Sequence, residues 1–146
     1  MSTGTDVTLR SGPGRVLVAV YALFALSATG RSVYQLSVQA DEAPVPYTLS
    51  LIAALIYIVA TVALVRGGPV WRRVAWVALS TELVGVIVVG TVSLVVDFPD
   101  QTVWSDFGSG YGFVPLVLPM FGMWWLWRTR PRDTSSPPSG TAETLP

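Results

Sequence analysis

The chain of 146 residues is 51% hydrophobic and only 12% charged, and its formal net charge is zero. An ordinary soluble domain has about a quarter charged residues, so this composition predicts a surface that faces lipid, and zero net charge gives no attraction to nucleic acid. The sequence contains neither histidine nor cysteine, which excludes imidazole acid–base chemistry, thiol nucleophiles and zinc–thiolate sites. We expect no cofactor and no metal.

The first two predicted helices are separated by a short loop that contains proline. Residues 1–14 are polar and small, which is typical of a disordered tail. The first helix is predicted over residues 15–38, and its apolar run exceeds the roughly 7–15 residues of a signal-peptide core, so we expect it to be retained. The second helix, residues 46–66, has no polar face. A soluble bundle would need one, so the pattern favours a membrane helix.

The third predicted helix covers residues 70–96 and leads into the longest loop, residues 97–110. The apolar body of this helix contains one carboxylate, Glu82. The loop, DFPDQTVWSDFGSG, combines acidic, aromatic and glycine residues. We expect it to form an ordered extracytoplasmic cap, with Trp104 and Phe107 folded over the helix ends.

The fourth predicted helix covers about residues 111–128 and contains two prolines, Pro115 and Pro119. Pro119 removes the hydrogen bond to the Pro115 carbonyl, and interrupted helices of this kind can line cavities. Residues 129–146 are rich in proline, serine and threonine, which predicts a second disordered tail. Residues 15–128 are therefore the predicted membrane domain.

The arginines predict both the number of helices and their orientation. With four crossings, eight of the nine basic residues lie on one side of the membrane: Arg10, Arg15, Arg66, Arg72, Arg73, Arg128, Arg130 and Arg132. The loops of the other side carry acidic residues: Asp41, Glu42, Asp97, Asp100 and Asp106. The positive-inside rule then places both termini in the cytoplasm. The sequence thus predicts an all-α, antiparallel bundle of four transmembrane helices in a bacterial plasma membrane.

Arg31 is the one arginine that departs from this rule. It lies fifteen residues after Val16, roughly 22 Å along the helix at 1.5 Å per residue. Ser27, Arg31 and Gln35 are spaced four apart and form one polar stripe. One interpretation is a snorkelling or structurally paired arginine. The other is a binding site for an anionic group, because intramembrane charges are candidates for function.

Glu82 also has two interpretations. It is either a carboxyl group that hydrogen-bonds across helices or a site for coupling to a proton or cation. Its predicted depth differs from that of Arg31 by roughly 10 Å, so a relay through water or Tyr57 is easier than direct contact. We predict that Arg31, Gln35, Tyr57 and Glu82 share one polar network. The candidate site residues of the outer loop are Asp100, Trp104 and Asp106.

Three segments carry a resemblance to a known group of proteins: RSVYQL, the acidic loop before PVPY, and FPDQTVWSDFGSGYGFVPLVLP. In these segments the chain resembles a group of small actinobacterial integral membrane proteins with four helices. The resemblance covers nearly the whole chain between the tails. It implies a fold and a location, and no activity.

Three classes of function remain. The first is a non-enzymatic accessory or interaction subunit, because the chain lacks a catalytic set; its partners are the lipid bilayer and a second copy or another membrane protein. The second is a small oligomeric transporter or channel that uses Glu82 and Arg31. The third is a lipid-handling enzyme that relies on Asp100, Asp106 or Glu82. Transport predicts a water-filled cavity that reaches Glu82, and an accessory role predicts a solid core and a flat apolar face without a partner. An enzyme predicts an outer cleft where Arg31 meets an aspartate of the loop: Asp97, Asp100 or Asp106.

Overall fold

The computed structural model describes residues 12–130. Most of the two predicted tails, residues 1–14 and 129–146, lies outside this range. The described residues form four α-helices and one 3₁₀ helix and contain no strand, which confirms the all-α prediction. The α-helices are α1 (Gly12–Val38), α2 (Pro44–Arg66), α3 (Gly68–Ser93) and α4 (Val114–Arg128), and the 3₁₀ helix spans Ser105–Tyr111.

Three of these helices have the length and apolarity needed to cross a membrane. They are α1, α2 and α3, with 27, 23 and 26 residues. The fourth, α4, has 15 residues, about 22 Å, which is shorter than a hydrocarbon core of about 30 Å. The three long helices indicate a multi-pass membrane protein.

Proline and glycine set where these helices begin. Pro44 and Pro69 lie in the first turns of α2 and α3, where a missing N–H costs nothing and the fixed φ angle suits a helix. Both α2 and α3 therefore begin two residues earlier than predicted. Between α2 and α3, Gly67 and Gly68 have φ angles of 61° and 87°. Glycine adopts this left-handed region at no steric cost, and it allows a reversal within two residues.

Small side chains form much of the interior of the bundle, together with some large ones such as Tyr21, Tyr57 and Leu79, and many large apolar side chains point outward. Alanines fill much of the core, as expected where membrane helices approach closely: Ala25, Ala28, Ala53, Ala54, Ala60, Ala63, Ala75 and Ala78. By contrast, Leu26 is 75% exposed and Val77 is 67% exposed. Such extensive exposed apolar surface is unusual on a soluble monomer, so it supports the membrane assignment.

Consecutive helices pack against each other. The short connections after α1 and α2 make those neighbours antiparallel. The hydrogen bond from Arg72, near the start of α3, to Thr129, just after the end of α4, shows that α3 and α4 are antiparallel as well. We call the end that holds residues 39–43 and 94–113 the loop end. The opposite end, where Gly67 reverses the chain and Arg72 donates to the Thr129 carbonyl oxygen at 3.3 Å, is the turn end.

The loop between α3 and α4 descends into the bundle. A Cβ atom added to Gly122 of α4 would lie 3.1 Å from Leu79 of α3. Counting back eight residues in this antiparallel pair puts Val114 near the level of Ile87. Because α3 continues to Ser93, space remains above the first residue of α4, and the loop occupies it.

Trp104 and Phe107 are the two side chains that fill this space. A Cβ atom at Gly85 would lie 2.7 Å from the Trp104 ring, and one at Gly90 would lie 2.5 Å from the Phe107 ring. Gly85 precedes the end of α3 by eight residues, about 12 Å. Trp104 therefore inserts between helices, whereas we had predicted a ring folded over their ends. The two glycines make this insertion possible because they leave the α3 surface open.

Left-handed backbone delays the start of the last helix, which we had predicted at about residue 111. Asp106, Phe107 and Phe113 have φ angles of 49°, 58° and 60°, and such angles interrupt an α-helix. The two prolines do not interrupt α4. Pro115 and Pro119 are each less than 2% exposed, and α4 continues through Pro119.

Candidate functional site

Glu82 lies at the centre of the bundle and is completely buried. The Tyr21 hydroxyl of α1 donates a hydrogen bond to Glu82 Oε2 over 2.8 Å. Glu82 Oε1 has no hydrogen-bond partner among the described residues. The carboxyl group thus joins α1 to α3 and retains one unused acceptor.

Tyr57 and Trp104 extend this group towards the loop. The Trp104 Nε1–H donates to the Tyr57 hydroxyl over 3.1 Å, and the Tyr57 ring lies 6.2 Å from the Tyr21 ring, centroid to centroid. Both tyrosines are 0% exposed, and Trp104 is 3% exposed. Tyr21, Tyr57, Glu82 and Trp104 therefore form one set, which we call the buried cluster.

Arg31 and Gln35 contact the loop instead. Arg31 donates from Nη1 to the Tyr111 hydroxyl at 2.6 Å and from Nη2 to the Gln101 carbonyl oxygen at 2.8 Å. Its Nη2 also lies 3.7 Å from Asp100 Oδ1, and Gln35 Nε2 donates to Asp100 Oδ2 at 3.0 Å. We call these five residues the loop cluster. It ties α1 to the segment that precedes α4.

The structure distributes the four residues of the predicted network over these two clusters. Arg31 and Gln35 belong to the loop cluster, whereas Tyr57 and Glu82 belong to the buried cluster. No hydrogen bond within residues 12–130 joins the two sets. Phe24 lies between them, with its ring centroid 5.7 Å from that of Tyr57 and 6.0 Å from that of Tyr111. An apolar ring therefore occupies the place where we expected a polar relay.

The three loop candidates have different environments. Asp100 lies in the loop cluster and Trp104 in the buried cluster. The backbone N–H of Asp106 donates to Ser93 Oγ at 2.7 Å, which connects the 3₁₀ helix to the end of α3. The Asp106 side chain is only half-buried. These residues do not converge on one reaction centre.

Tyr21 is the functional candidate that sequence reasoning missed. It lies in an apolar run, VLVAVYALFAL, where a tyrosine is easily taken for one more lipid-facing residue. A signal was nevertheless present in the spacing. Leu17, Tyr21, Ala25, Ala28, Ser32 and Gln35 recur every three or four residues, and all are buried. Tracing the buried face of α1 back from Gln35 would have reached Tyr21.

A surface concavity lies elsewhere, between α2 and α3. Its volume is about 430 Å³, and its walls are almost wholly apolar. We call it the α2–α3 groove. It does not include Glu82, and it is not the water-filled cavity at Glu82 that transport predicts.

The loop cluster has the contact between Arg31 and an aspartate that the enzyme alternative predicts. The two side chains are 31% and 37% exposed, and Arg31 already donates to two further oxygen acceptors. Such an arrangement holds a loop in place. Among residues 12–130, no three acidic side chains group in a way that could hold a metal ion.

Comparisons with protein-family models, with curated proteins and with solved structures give no match to this chain. The resemblance to small actinobacterial membrane proteins therefore stays a prediction.

Proposed function

We propose that the chain is a non-enzymatic interaction subunit of a bacterial plasma membrane, which it crosses four times with both termini in the cytoplasm. The observation that carries the proposal is the enclosed interior. Glu82 is 0% exposed and hydrogen-bonded, and the loop, through Trp104, packs against the same bundle. A closed polar interior of this kind stabilises the helix bundle and gives a substrate no path to Glu82.

The distribution of charge supports the proposed orientation. Arginines at the turn end rest on tryptophan rings. Arg66 lies 4.9 Å from the Trp71 ring centroid, and Arg128 lies 5.2 Å from that of Trp124. Arginine and tryptophan together are typical of a cytoplasmic interface.

The helix α4 is too short to cross the membrane alone, so a fourth crossing requires that the loop before it spans the remaining depth. Non-helical backbone is tolerated at membrane depth where protein encloses it. Thr102, Val103, Trp104 and Ser105 are each at most 5% exposed, and Thr102 and Ser105 satisfy each other's backbone and hydroxyl groups. The 3₁₀ helix, stacked on α4, would complete the fourth crossing.

Cysteine labelling tests this topology. The chain has no cysteine, so each introduced thiol reports on one position. We expect Glu42→Cys and Ser109→Cys to react with a membrane-impermeant maleimide in intact cells, because both positions are exposed at the loop end. Ser136→Cys should react only after permeabilisation. Labelling of Ser109→Cys and Ser136→Cys from the same side would instead show that α4 does not cross.

A reconstitution experiment tests the function. We expect the purified chain in proteoliposomes to give no proton flux above that of empty liposomes, measured with an entrapped pH-sensitive dye under an imposed membrane potential. We also expect mild detergent to extract the chain in a complex whose protein mass is not a whole-number multiple of 15.7 kDa, because a different membrane protein accompanies it.

The second candidate, a small oligomeric transporter, is favoured by one observation: a carboxyl group at the centre of a membrane bundle is a frequent ion-coupling site. Glu82→Gln is the matched control for the flux measurement. A proton flux that the wild type shows and Glu82→Gln lacks would contradict the interaction role and establish transport. The enzyme alternative has no comparable support.

A further inference from the structure

The two ends of the α2–α3 groove differ in chemistry, because its walls are apolar and one end carries a cation. Leu55 and Val59 of α2 form one wall, and Val74, Val77 and Thr81 of α3 form the other. The α3 residues recur every three or four positions, so they lie along one stripe of the helix. At the turn end, the groove finishes at one cation, Arg73.

Arg73 differs from the neighbouring arginines because no other residue in the described part of the chain engages its guanidinium. Arg72 donates to the Thr129 carbonyl oxygen, and Arg66 and Arg128 stack on tryptophan rings. Arg73 is exposed. Within residues 12–130 it makes no hydrogen bond, ion pair or cation–π contact. A cation at the mouth of an apolar groove matches a ligand with an anionic head and an apolar tail.

We propose that the α2–α3 groove binds one anionic phospholipid, with an acyl chain against Val59 and Val77 and the phosphate on Arg73. The distance from Arg73 to Thr81 along α3 is eight residues, about 12 Å. The groove can therefore hold an acyl chain from the level of the headgroups into the hydrocarbon. Basic groups between membrane helices recognise anionic headgroups in this way. The inference requires only that the chain lies in a bilayer. It therefore holds whether or not the interaction role is correct.

Native mass spectrometry of the full chain, released from neutral detergent with added phosphatidylglycerol or phosphatidylcholine, tests the proposal. We expect the wild type to retain phosphatidylglycerol and to lose phosphatidylcholine. Arg73→Gln should lower the bound fraction of phosphatidylglycerol about fivefold, the ratio that corresponds to ~1 kcal/mol for one arginine near an anionic surface. Val77→Trp should displace the acyl chain and abolish binding, and because Val77 is 67% exposed, the fold should tolerate it.

Two matched controls separate the groove from the rest of the surface. Arg128→Gln removes another turn-end arginine, and Leu26→Trp adds a ring at a position on α1 that is 75% exposed. Both should bind phosphatidylglycerol as the wild type does.

Four results would overturn the proposal. Equal retention of both lipids would mean that the charge on Arg73 plays no part. Equal losses in Arg73→Gln and Arg128→Gln would mean diffuse interfacial attraction. Undiminished binding in Val77→Trp would place the lipid outside the groove. A lipid-free dimer that Val77→Trp alone disrupts would show that a second copy occupies the groove.

Discussion

Gly85→Ala is expected to lower the free energy of unfolding by about 1–3 kcal/mol, the usual range for overpacking. In a helix interior, alanine is normally the more stable residue, by about 0.5–1 kcal/mol. Here the added methyl group would lie 2.7 Å from the Trp104 ring. That ring is buried and bonded to Tyr57, so it cannot move aside freely. Denaturation in mixed detergent micelles measures the change.

Gly30→Ala is the matched control for this experiment. Gly30 lies within α1, and nothing lies within 4 Å of the position that its Cβ would take. The same substitution should therefore stabilise the protein there by about 0.5–1 kcal/mol. Opposite signs at the two glycines would show that the Trp104 ring, and not helix propensity, decides the outcome at Gly85.

Trp104→Phe provides a rescue test. The atoms that crowd Gly85 belong to the six-membered part of the indole, namely Cε3, Cζ3 and Cη2, which a phenylalanine lacks at that reach. Alone, Trp104→Phe should be destabilising, because it removes the bond to Tyr57 and leaves a cavity. In the Trp104→Phe background, Gly85→Ala should lower the free energy of unfolding by little or nothing. A full additional loss would mean that Trp104 does not occupy the place described for it.

The helices could be predicted from the sequence, but the position of the loop could not. The apolar runs of α1, α2 and α3 are recognisable by their length and composition, and the prolines and glycines between them mark the ends of the helices. The insertion of Trp104 beside Gly85 depends on how far α4 falls short of the end of α3. That is a matter of register between helices distant in sequence, which local patterns do not encode.

For the polar residues as well, the sequence indicated which ones are unusual but not which partners they contact. Arg31 and Glu82 were identifiable because a charge in an apolar helix is unusual. Their partners were not, since Tyr111 and Gln101 reach Arg31 only after the loop has folded back onto α1. Tyr21 was missed for another reason: a tyrosine in a membrane helix suits both the lipid face and the core. Its place on the face of α1 that also carries Gln35 favours the core, and its donation to Glu82, sixty-one residues away, establishes it.

The largest expected effect on the buried cluster is that Glu82→Leu destabilises the chain and that Tyr21→Phe restores much of the loss. Glu82→Leu removes the acceptor and leaves the Tyr21 hydroxyl buried without a partner, at a cost of about 1–3 kcal/mol. Replacing both partners by apolar residues of similar shape is often nearly neutral. The double variant should therefore unfold at a higher denaturant concentration than Glu82→Leu alone, with a coupling of about 0.5–3 kcal/mol.

Arg31→Leu is the control for the coupling between Tyr21 and Glu82. Arg31 lies ten residues beyond Tyr21 on α1, about 15 Å along the axis. It has no hydrogen-bond partner in common with Glu82 among the described residues. Losses from Arg31→Leu and Glu82→Leu should add to within about 0.5 kcal/mol, as for independent sites. Strict additivity between Tyr21 and Glu82 would refute the buried bond. A large coupling between Arg31 and Glu82 would mean that one polar network, relayed past Phe24 by water, connects the two clusters.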